Sequence, residues 1–395
     1  MNPMNPISPK VPLPQEHYRR RNLIPFGTAL LLVTAGLLGC LAIYSARAYG
    51  DAPMVFVIRQ LFWLIPGILI FLLASAIPFR FYRKAAAALL GLSVAALAAI
   101  LFQGTPVNGM RGWFDLGWIK LQPSEFAKPF LLLYLCVQCG IGKNTGAGQW
   151  FRLILPGLLL TALVMAEPDY GGGLIFFLIF LLVAILNGAR FSYLLAAGTA
   201  MLTATIGFLL KNHYAMVRIM DFLNPENEKA WHIHQFQYAM AHGGWTGAER
   251  GSALWSGTFL PLPHTDSLFA SIVESTGFLG GVLLIGGFLA VGIAFCLLSW
   301  KVRTENPDRR FFIFSAGTIC LIQALIHISV NCVLIPPTGI TLPILSYGGS
   351  SLLAVMLTFG IAFSAARPDE LEPIGSVPQT TGGQLHTDPA KLPPR

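Results

Sequence analysis

Residues 267–299 read SLFASIVESTGFLGGVLLIGGFLAVGIAFCLLS, about 33 residues in which Glu274 is the one charged side chain. A helix needs about 20 mostly apolar residues to cross a bilayer. As a helix this run reaches roughly 50 Å, so it must tilt or project beyond the membrane. Runs of the same kind lie on either side of it, at 23–44, 55–77, 85–103, 122–141, 151–166, 170–188, 191–211, 311–334 and 346–365. The fold expected is an all-α polytopic membrane protein of about ten transmembrane helices with one large extracytoplasmic loop at 212–266. The membrane domain runs from 23 to 366, between cytoplasmic disordered tails at 1–22 and 367–395, which are rich in Pro and polar residues.

Composition agrees. Of 395 residues, 54% are hydrophobic and 11% charged, against roughly a quarter charged in a soluble domain. Mean hydropathy is +0.64. Soluble, disordered and collagen-like classes are excluded. The six cysteines fall inside apolar runs, so a disulfide framework is excluded too. The net charge of +8 does not point to nucleic acid, because the basic residues sit in short clusters between apolar runs. Lys10 with Arg19–Arg21, Arg80 with Arg83 and Lys84, Lys143 with Arg152 and Arg190, and Lys301 with Arg303, Arg309 and Arg310 share one side. That side is read as cytoplasmic, with both termini on it. The first run is too long for a signal-peptide core, so no cleavable leader is expected.

Chemistry is expected where charge stands at span ends on the other side. Glu125 and Lys128, three apart after Gln122-Pro123-Ser124, share a helix face and read as a neutralising pair or as a pocket wall. Glu167-Pro168-Asp169 precedes three glycines, and Asp169 suits a cap for the next helix or a cation ligand. Arg218 opens the large loop, which also holds His213, His232, His234, His242 and His264. His264-Thr265-Asp266 stands directly before the long run, where Thr265 or Asp266 fits an N-cap and Asp266 also fits a proton acceptor. Glu274, inside the run, needs a partner. Ser346-Tyr347-Gly348-Gly349-Ser350 starts the last run, where close packing and anion binding by free N–H groups both fit. His327 and Asn331 share a face of the preceding span.

In this order the segments resemble the SEDS family (shape, elongation, division and sporulation; RodA/FtsW-like) over roughly residues 25–366. The resemblance is carried by Ile43-Tyr44-Ser45-Ala46, Arg59-Gln60-Leu61, Trp113, Gln122-Pro123-Ser124-Glu125 with Lys128, and Pro168-Asp169. It continues with Arg218, Phe222 to Pro225, Gly243-Gly244 with Gly247, His264-Thr265-Asp266, Glu274 with Gly277, and Thr338 to Ser351. The sequence departs from the family pattern at Arg111, displaced by one from its tryptophan, at Glu167, at Leu262-Pro263 and at His327.

The resemblance implies a peptidoglycan glycosyltransferase that polymerises lipid II at the outer face of the cytoplasmic membrane and works with a class B penicillin-binding protein. It implies Asp266 as the catalytic residue. Substrate binding is then expected from Lys128, Glu125, Arg218, Arg111, Trp113, Gln122, Ser124, Asp169, His264, Thr265, Ser346, Gly348, Gly349 and Ser350. No metal site is read, a divalent cation is left open, and membrane lipids are the surroundings. A lipid II flippase and a non-catalytic scaffold of a cell-wall complex are the alternative readings.

Overall fold

A computed structural model of the chain describes residues 15–48, 53–107, 110–117, 119–140, 147–211, 213–224, 231–248, 254–302 and 304–367. The expected tails fall outside these residues at 1–14 and 368–395, as do Asn108, Lys143, Pro225, Lys229 and Arg303. The stretch through residue 22, expected to be unstructured, is helical from Gln15.

Each of the ten apolar runs is a helix. They are α1 (Gln15–Ala46), α2 (Pro53–Ala76), α3 (Phe79–Gln103), α4 (Pro123–Gly140), α5 (Ala147–Ala166), α6 (Tyr170–Leu186), α7 (Phe191–Lys211), α10 (Leu268–Trp300), α11 (Pro307–Asn331) and α12 (Gly349–Ala366). Seven of them are long and apolar enough to cross a bilayer by themselves; the apolar stretch of α5, Trp150–Ala166, and α6 are shorter, and α4 carries Glu125 and Lys128. The chain is a multi-pass membrane protein. Lipid offers helices no hydrophobic reason to associate, so close packing of small residues must do it. A Cβ on Gly360 of α12 would lie 2.6 Å from the Ala74 Cβ of α2, and one on Gly317 of α11 would lie 2.3 Å from Phe295 of α10. Around these approaches lies a core of Phe71, Phe79, Leu97, Leu131, Phe176, Phe312 and Met356.

Two departures from the expected plan stand at one end of the bundle. First, the chain is not purely helical. Thr105–Val107 (β1), Met110–Asp115 (β2) and Lys120–Leu121 (β3) form a small antiparallel sheet in the order β1-β2-β3. Val107 pairs with Met110, and the intervening Asn108-Gly109 dipeptide belongs to the sequence type that favours two-residue hairpins. Second, the described residues of 212–266 include regular structure. They hold α8 (His213–Leu223), α9 (Trp231–Gly243) and a π-helical turn, Trp255–Phe259.

α10 is not one straight rod. It breaks at Gly277, whose φ of +73° belongs to the left-handed region that glycine tolerates. The break frees backbone groups, and the turn after α9 takes them up. Phe278 N–H donates to Gly244 O at 2.9 Å, Leu279 N–H to Trp245 O at 3.2 Å, and Ala248 N–H to Glu274 O at 2.8 Å. A Cβ on Gly277 would lie 2.4 Å from the amide nitrogens of Thr246 and Gly247, so no side chain fits there. Glu274, fully buried, accepts from Trp255 N–H at 3.0 Å, from Ser256 N–H at 2.7 Å, from the Ser256 hydroxyl and from His242 Nδ1 at 3.0 Å. One carboxylate thus fastens α9 and the π-helical turn to the N-terminal stub of α10. At the opposite end Arg83 pairs with buried Asp308 at 2.5 Å, and Arg309 Nη1 donates to Arg367 O at 2.8 Å.

Candidate functional site

The site is built around the first turn of α10. Ser267, not Thr265 or Asp266, holds the N-cap position, and its side chain makes no capping bond. The expected cap is replaced by α11. Asn331 Oδ1 accepts from Ala270 N–H at 3.1 Å, and His327 Nε2 accepts from Phe269 N–H at 3.4 Å. His327 Nδ1 donates to Ile340 O at 2.8 Å, so its acceptor nitrogen is turned toward α10. Asn331 Nδ2 donates to Asp266 O at 3.0 Å and to His327 O at 2.9 Å. The helix terminus is satisfied without the Asp266 side chain. That carboxyl has no hydrogen-bond partner among the described residues.

Burial holds the Asp266 carboxyl above the usual carboxylate range; the charge of Arg218 on α8 opposes this, and that of Asp169 adds to it. Asp169 is the cap of α6 that its position suggested, with Oδ1 accepting from Gly172 N–H at 2.7 Å. Its carboxyl is also raised, first by burial; the Gly172 bond and Lys128 pull it down and Glu125 pushes it up. Glu125 and Lys128 meet at 2.7 Å with both side chains mostly buried. Side chains from α4, α6, α8 and the head of α10 therefore share one electrostatic neighbourhood: Glu125, Lys128, Asp169, Arg218 and Asp266. The Glu125–Lys128 pair lines a small cleft of about 30 Å³, with Pro129, Leu132, Ile179, Gln323 and Phe359 in its mostly apolar wall.

The remaining expected residues form the frame of this patch. Ser346 Oγ accepts from Leu342 N–H and donates to Thr265 O, both at 2.9 Å. Tyr347 N–H donates to His264 O at 2.9 Å. Gln60 on α2 donates to Ser346 O at 3.3 Å and accepts from Gly348 N–H at 3.4 Å. Gly349 lies against Trp63. Ser350 Oγ accepts from Gln122 N–H at 3.1 Å. Ser346, Gly348, Gly349 and Ser350 are thus occupied in joining α12 to α2, to β3 and to the turn that bears Asp266.

His264 packs between Phe56 (centroids 4.5 Å) and Tyr347 (5.5 Å). Burial and then the charge of Arg47 push its pKa down to about 4, so it is neutral. Thr265 N–H is held by Leu262 O at 3.0 Å. Ser124 and Gln122 are buried at the start of α4. Trp113 is half-buried on β2, and Arg111 beside it is exposed, with no polar contact among the described residues. The sequence offered Gln60 only as part of a family motif, with no role, and did not show the capping of α10 by His327 and Asn331. The shared face of the last two was the available signal. Among the described residues, no group of three or more His, Cys, Asp or Glu is gathered as for a metal ion.

A bundle of apolar helices with buried acids and bases collected at one end defines a membrane-embedded protein with a polar site. The family model described as "Cell cycle protein" (FtsW, RodA, SpoVE) matches residues 23–370, and the chain belongs to this family, the SEDS proteins. It is similar to stage V sporulation protein E of Bacillus subtilis, with 30% identity over 86% of this chain and 94% of that protein. It is likewise similar to a probable peptidoglycan glycosyltransferase FtsW of Coxiella burnetii, with 31% identity over 86% of this chain and 95% of that one. Among solved structures it resembles a chain described under the structural coordination of polymerization and crosslinking by a peptidoglycan synthase complex. The TM-score is 0.72 at 27% identity, over 88% of this chain and 98% of that one.

Proposed function

We propose that this SEDS protein is the glycosyltransferase that polymerises lipid II into glycan strands, with Asp266 as its base. The observation that carries the reading is the Asp266 carboxyl: α11 has taken over the capping of α10, and the acid is left without a partner beside Arg218. In each transfer the acceptor hydroxyl oxygen bonds the anomeric carbon of the donor sugar, and the bond from that carbon to the pyrophosphate oxygen breaks. The hydroxyl proton goes to Asp266. The pyrophosphate leaves as an anion, so it needs positive charge and no proton. Arg218 and Lys128 supply that charge, and Glu125 holds Lys128 in place at 2.7 Å. A base opposite the leaving group gives inversion at the anomeric carbon. A divalent cation enters no step of this mechanism.

The Lys/Arg clusters support an orientation with both termini in the cytoplasm and the Asp266 end outside. Both lipid-linked substrates then reach the site sideways from the outer leaflet of the cytoplasmic membrane. The likeness to a chain of a peptidoglycan synthase complex supports a cross-linking partner, a class B penicillin-binding protein. The test is glycan-chain formation from lipid II by purified protein, alone and with a transpeptidase, comparing wild type with Asp266→Asn. Normal chain formation by that variant overturns the mechanism.

A further inference from the structure

Glu167 follows the last residue of α5, and its side chain is fully buried. Both of its carboxyl oxygens are shut off from solvent, and neither has a hydrogen-bond partner among the described residues. An isolated ionised carboxylate in such a place is far costlier than the neutral acid, so the group keeps its proton. The backbone of β2 lies directly on it: a Cβ on Gly112 would stand 3.2 Å from Glu167 Oε2 and 3.8 Å from Gln122 Nε2. β2 bears Arg111 and Trp113, and the chain then runs through β3 and Gln122 into α4 with Glu125 and Lys128. Two residues on, Asp169 heads α6 within the charged patch.

We propose that Glu167 is a positioning residue for the transfer site: as a neutral acid it seats β2 on the α5–α6 turn, and loss of its proton unseats the strand together with the Arg111–Trp113 edge. The charged groups on the surrounding elements are Asp169 on its own turn, Arg111 and Asp115 on β2, and Glu125 and Lys128 on α4. Lys128 is committed to Glu125 at 2.7 Å, and Asp115 lies 3.7 Å from Lys120. Asp169 is the neighbour whose charge acts on Glu167, and it works against ionisation. Burial first, and Asp169 second, push the Glu167 pKa from the ordinary 4.5 up to about 8. The sign follows from linkage. A carboxyl whose pKa is raised on folding contributes its stability fully below 4.5 and loses it as pH rises through about 8. The seating of β2 is therefore complete in mild acid and fails in alkali.

Two measurements test this on the full-length protein. In the first, glycan-chain formation is followed from pH 6 to about 9 in wild type and Glu167→Gln. One pH unit above its pKa a carboxyl is about 90% ionised, so wild type loses about tenfold between pH 7 and pH 9, while the variant, neutral at every pH, does not. This arm rests on the glycosyltransferase reading. In the second, amide hydrogen exchange of residues 110–122 is followed across the same range, corrected for intrinsic exchange. Protection falls as pH passes 8 in wild type and in Asp266→Asn, and stays level in Glu167→Gln. Identical alkaline limbs in wild type and Glu167→Gln overturn the proposal. So does wild-type protection that is level with pH, and this profile decides alone if the variant does not fold. Absence of chain formation at every pH, with the expected exchange profile, overturns the transferase reading and leaves the seating of β2 by Glu167 standing.

Discussion

α7 and α12 have the same mean hydropathy, yet 67% of α12 is buried inside the protein and only 6% of α7. Hydropathy decides that a helix resides in the membrane; small residues decide which neighbours it has there. Gly349 and Gly360 of α12 sit against Trp63, Ala74 and Phe71, and a Cβ has no room at either. Gly198 and Gly207 of α7 have nothing within 4 Å of where a Cβ would stand. α7 turns Phe191, Leu202 and Leu210 outward, each more than half exposed. The two helices serve the site from opposite sides. α12 and its neighbours lock the turn that bears Asp266 through Ser346, Tyr347 and Gln60. α7 leads into α8, which brings Arg218 to the same carboxyl.

The contrast breaks if the locked side proves dispensable, so the largest effect is expected there. Asp266→Asn is expected to lower chain formation by about 10² or more, the usual range for loss of a general base. Its thermal unfolding should match wild type, because His327 and Asn331 keep the cap. Gly360→Val should cost about 2–3 kcal/mol by overpacking against Ala74, and Gly207→Val within about 0.5 kcal/mol; paired unfolding curves in one detergent measure the difference. Equal losses would mean that α7 is packed against the protein after all. Arg218→Gln is expected to slow chain formation about tenfold, a loss of about 1.4 kcal/mol in transition-state stabilisation. It also removes the charge that holds the Asp266 carboxyl down. The base then keeps its proton to a higher pH, so the acid limb of the pH–rate profile moves upward, which initial rates below pH 7 will show. The smallest effect is expected from Leu202→Ala, on the exposed face of α7, which should leave both rate and unfolding within error.

Seven of the ten helices were readable from length and hydropathy alone, and the shorter runs of α5 and α6 and the charged run of α4 from their apolar residues between polar breaks. Glu125–Lys128 was readable from its spacing of three, and the Asp169 cap from its place before three glycines. What was not readable depends on partners distant in the chain. The N-cap of α10 was assigned from its local sequence, and that assignment failed because two side chains about 60 residues on supply the acceptors. The small sheet was missed although Asn108-Gly109 is a hairpin signal, since β1 and β3 are too short to show an alternating pattern and the six residues of β2 do not alternate in burial. The partner that Glu274 required was anticipated, but not its identity: backbone amides of a π-helical turn leave no trace in residue type.

The break in α10 also imposes an order on biogenesis. Gly244 and Trp245, which receive the amides of Phe278 and Leu279, are synthesised before the helix that needs them. When α10 enters the bilayer its acceptors already exist, so the kink closes as soon as it forms. A circular permutant opened between residues 248 and 254 reverses that order. Its α10 emerges before those acceptors exist, and the expected outcome is slower acquisition of protease resistance than in wild type during membrane insertion, from a chain that holds every residue of the wild type.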